Sequence, residues 1–184
     1  MAGVLVIAEH LRGQLRDVTA EVVAAARTLG AQGLGSVTVA VVAPEPGPLA
    51  AACAFEGVDE VVELALGGAG FDADAWTDAI VALVGERRPA AVLASFSVDS
   101  MGFGAAVAAR LGAGFASDVT ALAVEAGAIV ATRELYQSKV EADLEFPQKE
   151  TVVLLLRPAT WTAAAAGGSP VSYTHLTLPT NREV

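Results

Sequence analysis

The groups best suited to chemistry in this chain fall in two short phrases. Ser95-Phe96-Ser97-Val98-Asp99-Ser100-Met101-Gly102 places three serines, an aspartate and a glycine between an apolar run and the alanine-rich stretch Ala105 to Leu111. If that stretch is a helix, its free N–H groups and dipole can hold a phosphate, which makes Ser95, Ser97, Ser100 and Gly102 cofactor-binding candidates. The same residues also suit an ordinary strand-to-helix turn capped by Ser97, Asp99 or Ser100. Gly102-Phe103-Gly104 lacks the third glycine of a dinucleotide fingerprint, and no Gly-Lys-Ser or Gly-Lys-Thr occurs. The second phrase is Glu9-His10, where a carboxylate and an imidazole follow the first apolar run.

Other chemistries lack their residues. His10 is the only histidine before residue 171, so a multi-histidine metal site is excluded there, and no Gly-x-Ser-x-Gly elbow offers a nucleophile. Cys53, the single cysteine, lies in Ala50-Ala51-Ala52-Cys53-Ala54-Phe55, which rules out an internal disulfide and a thiolate cluster and leaves an inert packing thiol. No catalytic constellation emerges, and the expectation is a protein that is not an enzyme. Eleven Lys and Arg against 21 Asp and Glu give a net charge of -10, which repels nucleic acid and anionic lipid. No run approaches the roughly 18 apolar residues of a membrane span. Met1-Ala2-Gly3-Val4 enters a strand-like run without a basic flank, and the expected location is a bacterial cytoplasm.

The elements that must position these phrases alternate. Val4 to Ala8 is a continuous apolar run of the kind covered on both faces in a parallel sheet. Thr19 is placed to cap a helix through Val22, Val23, Ala26 and Leu29 that Gly30 stops. Val37 to Val42 predicts a second strand, and Pro44, Pro46 and Pro48 lead into a short alanine-rich helix ending near Gly57. Val58 to Leu64 predicts a third strand. Asp72 or Asp74 starts a helix whose apolar face is Trp76, Ile80, Leu83 and Val84, and Pro89 ends it before a fourth strand, Ala90 to Ala94. This order predicts a doubly wound α/β domain with a mainly parallel sheet.

From about Ser117 the pattern shifts to short extended segments. Val119 to Val124, Ala128 to Arg133, Lys139 to Phe146 and Thr151 to Leu156, with turns at Ala126-Gly127 and Pro147-Gln148-Lys149, predict antiparallel strands at an edge of the sheet. Arg133, Tyr136 and Lys139 bring charge and an aromatic ring there, suited to a subunit contact or a ligand, while Trp161 is placed to cover the sheet edge or another domain. The expected organisation is a domain over 1–162, a linker over 163–170 and a tail over 171–184. The tail, unlike everything before it, contains no alanine or glycine. It resembles translated sequencing-adaptor DNA and is set aside from the fold as non-native, the alternative being a native terminal strand.

Several phrases then converge on a known family. Val4-Leu5-Val6-Ile7-Ala8-Glu9-His10 with Gly13-Gln14-Leu15, Thr19 and Glu21, followed by Ala24-Ala25-Ala26-Arg27-Thr28-Leu29-Gly30, resembles the start of the electron-transfer flavoprotein alpha subunit. The likeness continues through Gly57-Val58-Asp59-Glu60-Val61, Pro89-Ala90-Ala91-Val92-Leu93, Ala108-Ala109-Arg110-Leu111-Gly112 and Ser117-Asp118-Val119-Thr120, covering about residues 3–160. The resemblance implies an adenine-nucleotide-hydrolase-like, Rossmann-like domain that serves as scaffold in a heterodimeric electron carrier. It implies FAD in the full-length protein, held by a C-terminal domain beyond this chain and not bound by this part alone, and AMP on the beta subunit. The implied partners are that beta subunit, flavin dehydrogenases such as those of fatty acid oxidation, and a quinone reductase or other acceptor. Where the family often carries an Arg-x-x-Tyr-x-Gly-Asn phrase, Arg133-Glu134-Leu135-Tyr136-Gln137-Ser138-Lys139 keeps the arginine and tyrosine alone. A stand-alone adenine-nucleotide-binding module of the same fold class is the alternative reading.

Overall fold

A computed structural model describes residues 3–68 and 70–175. The first strand, β1 (Val4–Ile7), leads into a two-strand hairpin, β2 (His10–Leu11) and β3 (Gln14–Leu15), and then helix α1 (Val18–Leu29). Next come β4 (Val37–Ala43), α2 (Gly47–Ala52), β5 (Glu60–Ala65), α3 (Ala73–Arg87), β6 (Ala91–Ser95) and α4 (Val98–Leu111). The second half supplies β7 (Gly114–Glu125), β8 (Ala128–Leu135), β9 (Val140–Glu145), β10 (Val152–Leu156) and β11 (Val171–His175). One sheet joins all but the small hairpin, in the order β11-β5-β4-β1-β6-β10-β7-β8-β9. Pairing is parallel from β11 to β7 and antiparallel for β7–β8 and β8–β9. The expected doubly wound, mainly parallel α/β fold with antiparallel strands at one edge is therefore present.

Strand parity explains why the apolar runs are continuous. Val4, Val6 and Ala8 pack with Val22, Val23 and Leu29 of α1 and with Leu49 of α2. Leu5 and Ile7 point the other way, into the layer of Ile80, Leu83, Phe103 and Val107 from α3 and α4. Each central strand is buried on both faces, so both sets of side chains must be apolar.

The structure corrects several local expectations. Thr151 to Leu156 is no edge element: β10 lies between β6 and β7 and pairs in parallel with both, Val152 standing opposite Ala91 and Gly114. Its five residues, Val-Val-Leu-Leu-Leu, are all buried, and a run without alternation belongs in a doubly covered position. Thr19 does not cap α1 from outside. It sits inside the first turn, buried, and its hydroxyl accepts from the Glu9 N–H at 3.0 Å and donates to the Glu9 carbonyl at 3.1 Å. Gly30 keeps helical dihedrals, and the chain turns only after a π-helical segment, Gly30–Leu34, where Gly33 takes a φ of 109°.

Residues 163–170, expected as a linker, make backbone hydrogen bonds to the domain. The Ala164 N–H donates to Ala20, the Glu56 N–H donates to Ala165, and Gly167 and Gly168 both donate to the Ala54 carbonyl. Ala166 bridges antiparallel to Phe55, so the segment straps across the loop between α2 and β5. The segment set aside as a tail then enters the sheet: β11 pairs in parallel with β5, Val171 opposite Glu60 and His175 opposite Leu64. The rest of that tail, 176–184, lies outside the described residues.

Candidate functional site

The direction of winding reverses at β1, whose neighbours are β4 on one side and β6 on the other. In open α/β sheets such a switch point opens a crevice at the carboxyl ends of the strands. Here it holds the two sequence phrases, Glu9-His10 after β1 and Ser95 to Ser100 around the start of α4.

The serine phrase is mostly helix. Ser97 is the N-cap of α4, with a φ of -135°. Its hydroxyl accepts from the Ser100 N–H at 3.3 Å, and the Ser100 hydroxyl accepts from the Ser97 N–H at 2.9 Å. This reciprocal capping box spends both hydroxyls on the backbone, and Asp99 supplies the negative charge that a helix N-terminus favours. Gly102 is a full turn inside α4 rather than in a loop. A Cβ there would lie 3.3 Å from Ala73 and 3.4 Å from Phe71. Ser95 differs from the other serines. It is buried, and its Oγ has no hydrogen-bond partner among the described residues.

His10 is fixed by a 2.7 Å hydrogen bond between its Nε2 and the Val42 carbonyl. A carbonyl only accepts, so Nε2 carries the proton. The imidazole stands 5.6 Å from the Trp76 ring, which in turn meets Phe71 edge-on at 5.2 Å and Phe103 at 5.6 Å. Trp76, read from the sequence as core, is buried and also forms a wall of the crevice.

Two spaces open among these groups. A cleft of about 560 Å³ runs along His10, Arg12, Val42, Glu45, Phe71, Trp76 and Asp99. A cavity of about 10 Å³, bounded by Glu9, Ser95 and Phe103, shares His10, Trp76 and Asp99 with it. Arg12 is the one Lys or Arg lining the cleft among the described residues, against the carboxylates of Glu45 and Asp99.

The remaining candidates lie elsewhere. Cys53 is fully buried among the side chains packed on α1 and α2, and burial pushes its thiol up to about 12. Tyr136 is 78% exposed in the β8–β9 turn, where Tyr136, Gln137 and Ser138 all take positive φ. Trp161 packs at the rim of the α1 core, in line with a covering role. No cluster of three His, Cys, Asp or Glu able to hold a metal occurs among the described residues, and no described helix is long and apolar enough to cross a membrane.

Sequence reasoning missed one polar network. Arg157, just past β10, donates from two nitrogens to both Asp118 oxygens at 2.8 Å and from a third to Glu134 at 2.6 Å. Asp118 sits in a bulge of β7 with a φ of 60°, where the strand passes from its parallel to its antiparallel partner. The Arg157 hydrogen bonds hold the Asp118 carboxyl below its usual value, with help from the charges of Arg157 and Arg133. The sequence signal is Asp118 inside a strand that is otherwise apolar and hydroxylic up to its last residue, Glu125.

Comparison with known proteins accords with this architecture. The family model for the electron transfer flavoprotein domain matches residues 4–177. The chain is 39% identical over 171 residues to the electron transfer flavoprotein subunit alpha of Methylophilus methylotrophus, covering 93% of this chain and 53% of that protein. It is 30% identical over 161 residues to the same subunit of Syntrophomonas wolfei, covering 86% and 49%. A subunit alpha of Mycobacterium leprae is 34% identical over 123 residues, covering 65% of this chain and 37% of that protein. The chain thus spans about half the length, or less, of the curated relatives it matches. On these matches and on its doubly wound sheet, the chain belongs to the electron transfer flavoprotein family, in its alpha-subunit N-terminal domain.

Proposed function

We propose that this domain is a scaffold of a heterodimeric electron carrier: it binds a beta subunit and positions a flavin-holding domain, and it performs no redox chemistry of its own. The observation that carries this reading is the family match across 93% of the chain to an alpha subunit, joined to a crevice in which the Ser97 and Ser100 hydroxyls are spent on the start of α4. In the whole protein, FAD would accept electrons from flavin dehydrogenases, such as acyl-CoA dehydrogenases, and pass them to a quinone reductase or another acceptor. The residues present here do not fit FAD. Its diphosphate needs free N–H groups or several cations, whereas the Ser97 and Ser100 N–H groups at the start of α4 are taken by each other's hydroxyls, Asp99 adds a negative charge there, and the cleft offers Arg12 against Glu45 and Asp99. An AMP-type nucleotide therefore belongs to the beta subunit in this reading, and the cytoplasm is the proposed location.

Co-expression of the chain with its cognate beta subunit tests the scaffold role. Co-purification at one-to-one stoichiometry is expected, and failure to form any complex refutes it. The chain alone is expected to emerge colourless from gel filtration after incubation with FAD; stoichiometric yellow protein overturns that part. A stand-alone adenine-nucleotide-binding module is the competing reading, favoured by the cleft beside α4. Its mark is calorimetric binding of AMP and ATP that replacing Gly102 by a bulky residue abolishes.

A further inference from the structure

Large apolar side chains left in contact with water gather at the crevice. Val98 is 81% exposed, Met101 55%, Leu11 53% and Phe71 41%. Leu11 and Phe71 line the cleft of about 560 Å³, and Val98 and Met101 stand on the first turn of α4 beside it. Gly102 is one turn on from Val98, and a Cβ there would lie 3.4 Å from the Phe71 ring. That face of α4 therefore continues the surface that Phe71 begins. Exposed apolar groups scattered singly are ordinary, whereas several drawn together around a cleft mark a protein contact.

The rim is also held in place. Phe71 meets Trp76 edge-on at 5.2 Å, and the buried Trp76 stands 5.6 Å from both His10 and Phe103. Val98 is β-branched and begins a helix closed by the Ser97 and Ser100 capping box. Side chains already fixed lose little freedom when a partner arrives, so more of the contact energy survives as affinity.

The charges inside the rim set the sign of what enters. Glu45 and Asp99 line the cleft against Arg12 alone, in a chain whose net charge is -10. An exposed aromatic face beside two carboxylates suits an ammonium or guanidinium group, drawn by the ring and by the charges together.

We propose that this apolar rim and acidic cleft, at the carboxyl ends of β1, β4 and β6, form a docking surface for the beta subunit. The partner lays an apolar segment over Leu11, Phe71, Val98 and Met101 and points one lysine or arginine toward Glu45 and Asp99. The inference rests on the scaffold reading and gives its subunit contact a place on this chain.

The test is the affinity of the purified cognate beta subunit for the full chain, measured by biolayer interferometry at low and high salt. Leu11→Ser and Val98→Ser are each expected to weaken binding about tenfold, as loss of an interface anchor does. Both side chains are exposed, and an unchanged melting temperature shows that the fold is kept. Glu45→Gln combined with Asp99→Asn is expected to slow association and to flatten its salt dependence, because less charge remains to steer the partner. Wild-type affinity in the Leu11→Ser, Val98→Ser double variant overturns the proposal and leaves the scaffold reading standing, since the complex then forms elsewhere on the domain. Tighter binding by Glu45→Lys overturns it on charge. A concentration-dependent dimer of the chain alone that Val98→Ser abolishes overturns it too, and assigns the rim to a second copy. Absence of any complex with the wild-type chain removes both the proposal and the scaffold reading.

Discussion

Gly168→Ala probes whether the strap over 163–170 is held by its backbone or merely lies on the surface. A Cβ built on Gly168 falls 2.0 Å from the Phe55 carbonyl oxygen and 2.5 Å from its carbon, while Cβ atoms essentially never approach other atoms within 3.0 Å. Both obstacles are backbone, so no side chain can swing aside, and the two segments must part by about 1.0 Å. The Gly167 and Gly168 N–H bonds to Ala54 are each 3.0 Å, and the Glu56 N–H bond to Ala165 is 2.8 Å. Lengthened by that amount, all three pass the limit of a useful hydrogen bond. At about 0.5–1.5 kcal/mol net for each bond, the loss is about 1.5–4.5 kcal/mol of local stability. That corresponds to opening made more frequent by about 10- to 2,000-fold. Hydrogen exchange by NMR reads this directly at the amides of Glu56, Gly167 and Gly168. The central amides of β1 and β10 are expected to exchange at unchanged rates, because the strap opens without the core. Wild-type protection at Glu56 in the variant refutes the argument.

Three further outcomes follow from the burial and charge already described. Leu154 is fully buried in β10, and Leu154→Ala is expected to cost about 2–5 kcal/mol by urea unfolding; a change under 1 kcal/mol, below the range for a core leucine, contradicts a central β10. With its thiol buried and pushed up to about 12, Cys53 is expected to resist a disulfide reagent in the native protein near neutral pH and to react with one equivalent in guanidinium, so rapid native labelling contradicts its placement. Asp118 is lowered first by its Arg157 hydrogen bond, and Glu134 first by the Ser138 hydroxyl and then by Arg157. Both carboxyls are lower folded than unfolded, so their stabilisation is present above the unfolded range near about pH 4 and is lost as pH falls through the folded values. The melting temperature is expected to drop in acid more gently in Arg157→Leu than in wild type, and identical acid limbs contradict the coupling.

Much of the fold was legible because local patterning and tertiary position agree. The run Val4 to Ala8 reads as a doubly covered strand, and it is one. Val152 to Leu156 carries the same signature, yet its place in the chain predicts an edge, because its neighbours in sequence are hairpin strands while its neighbours in space are β6 and β7. Order along the chain outweighed composition, and composition was the better guide. At the start of α4 the box Ser97-x-x-Ser100 closes with a second serine instead of the glutamate or glutamine that marks it in sequence, so the helix was started seven residues late. Thr19 reads as a cap in sequence because its partner, the backbone of Glu9, lies ten residues away across a hairpin that no periodicity announces. The cleft shows the same limit. His10, Ser95 and the stretch from Phe71 to Trp76 come from three separate segments around the crevice, and nothing in the sequence spacing brings the three together.

The central position of β10 also sets when this protein can fold. Strands β6 and β7 are joined by α4, but they never pair with each other; the space between them is reserved for residues 152–156. A nascent chain that has emerged only as far as β9 therefore carries two unpaired edges facing a gap in the middle of its sheet, each lined by apolar side chains that expect cover. Only after Leu156 clears the ribosome can the gap close, so the last strand of the core is also the one that commits the rest. Any boundary drawn before it would yield a split sheet rather than a smaller domain.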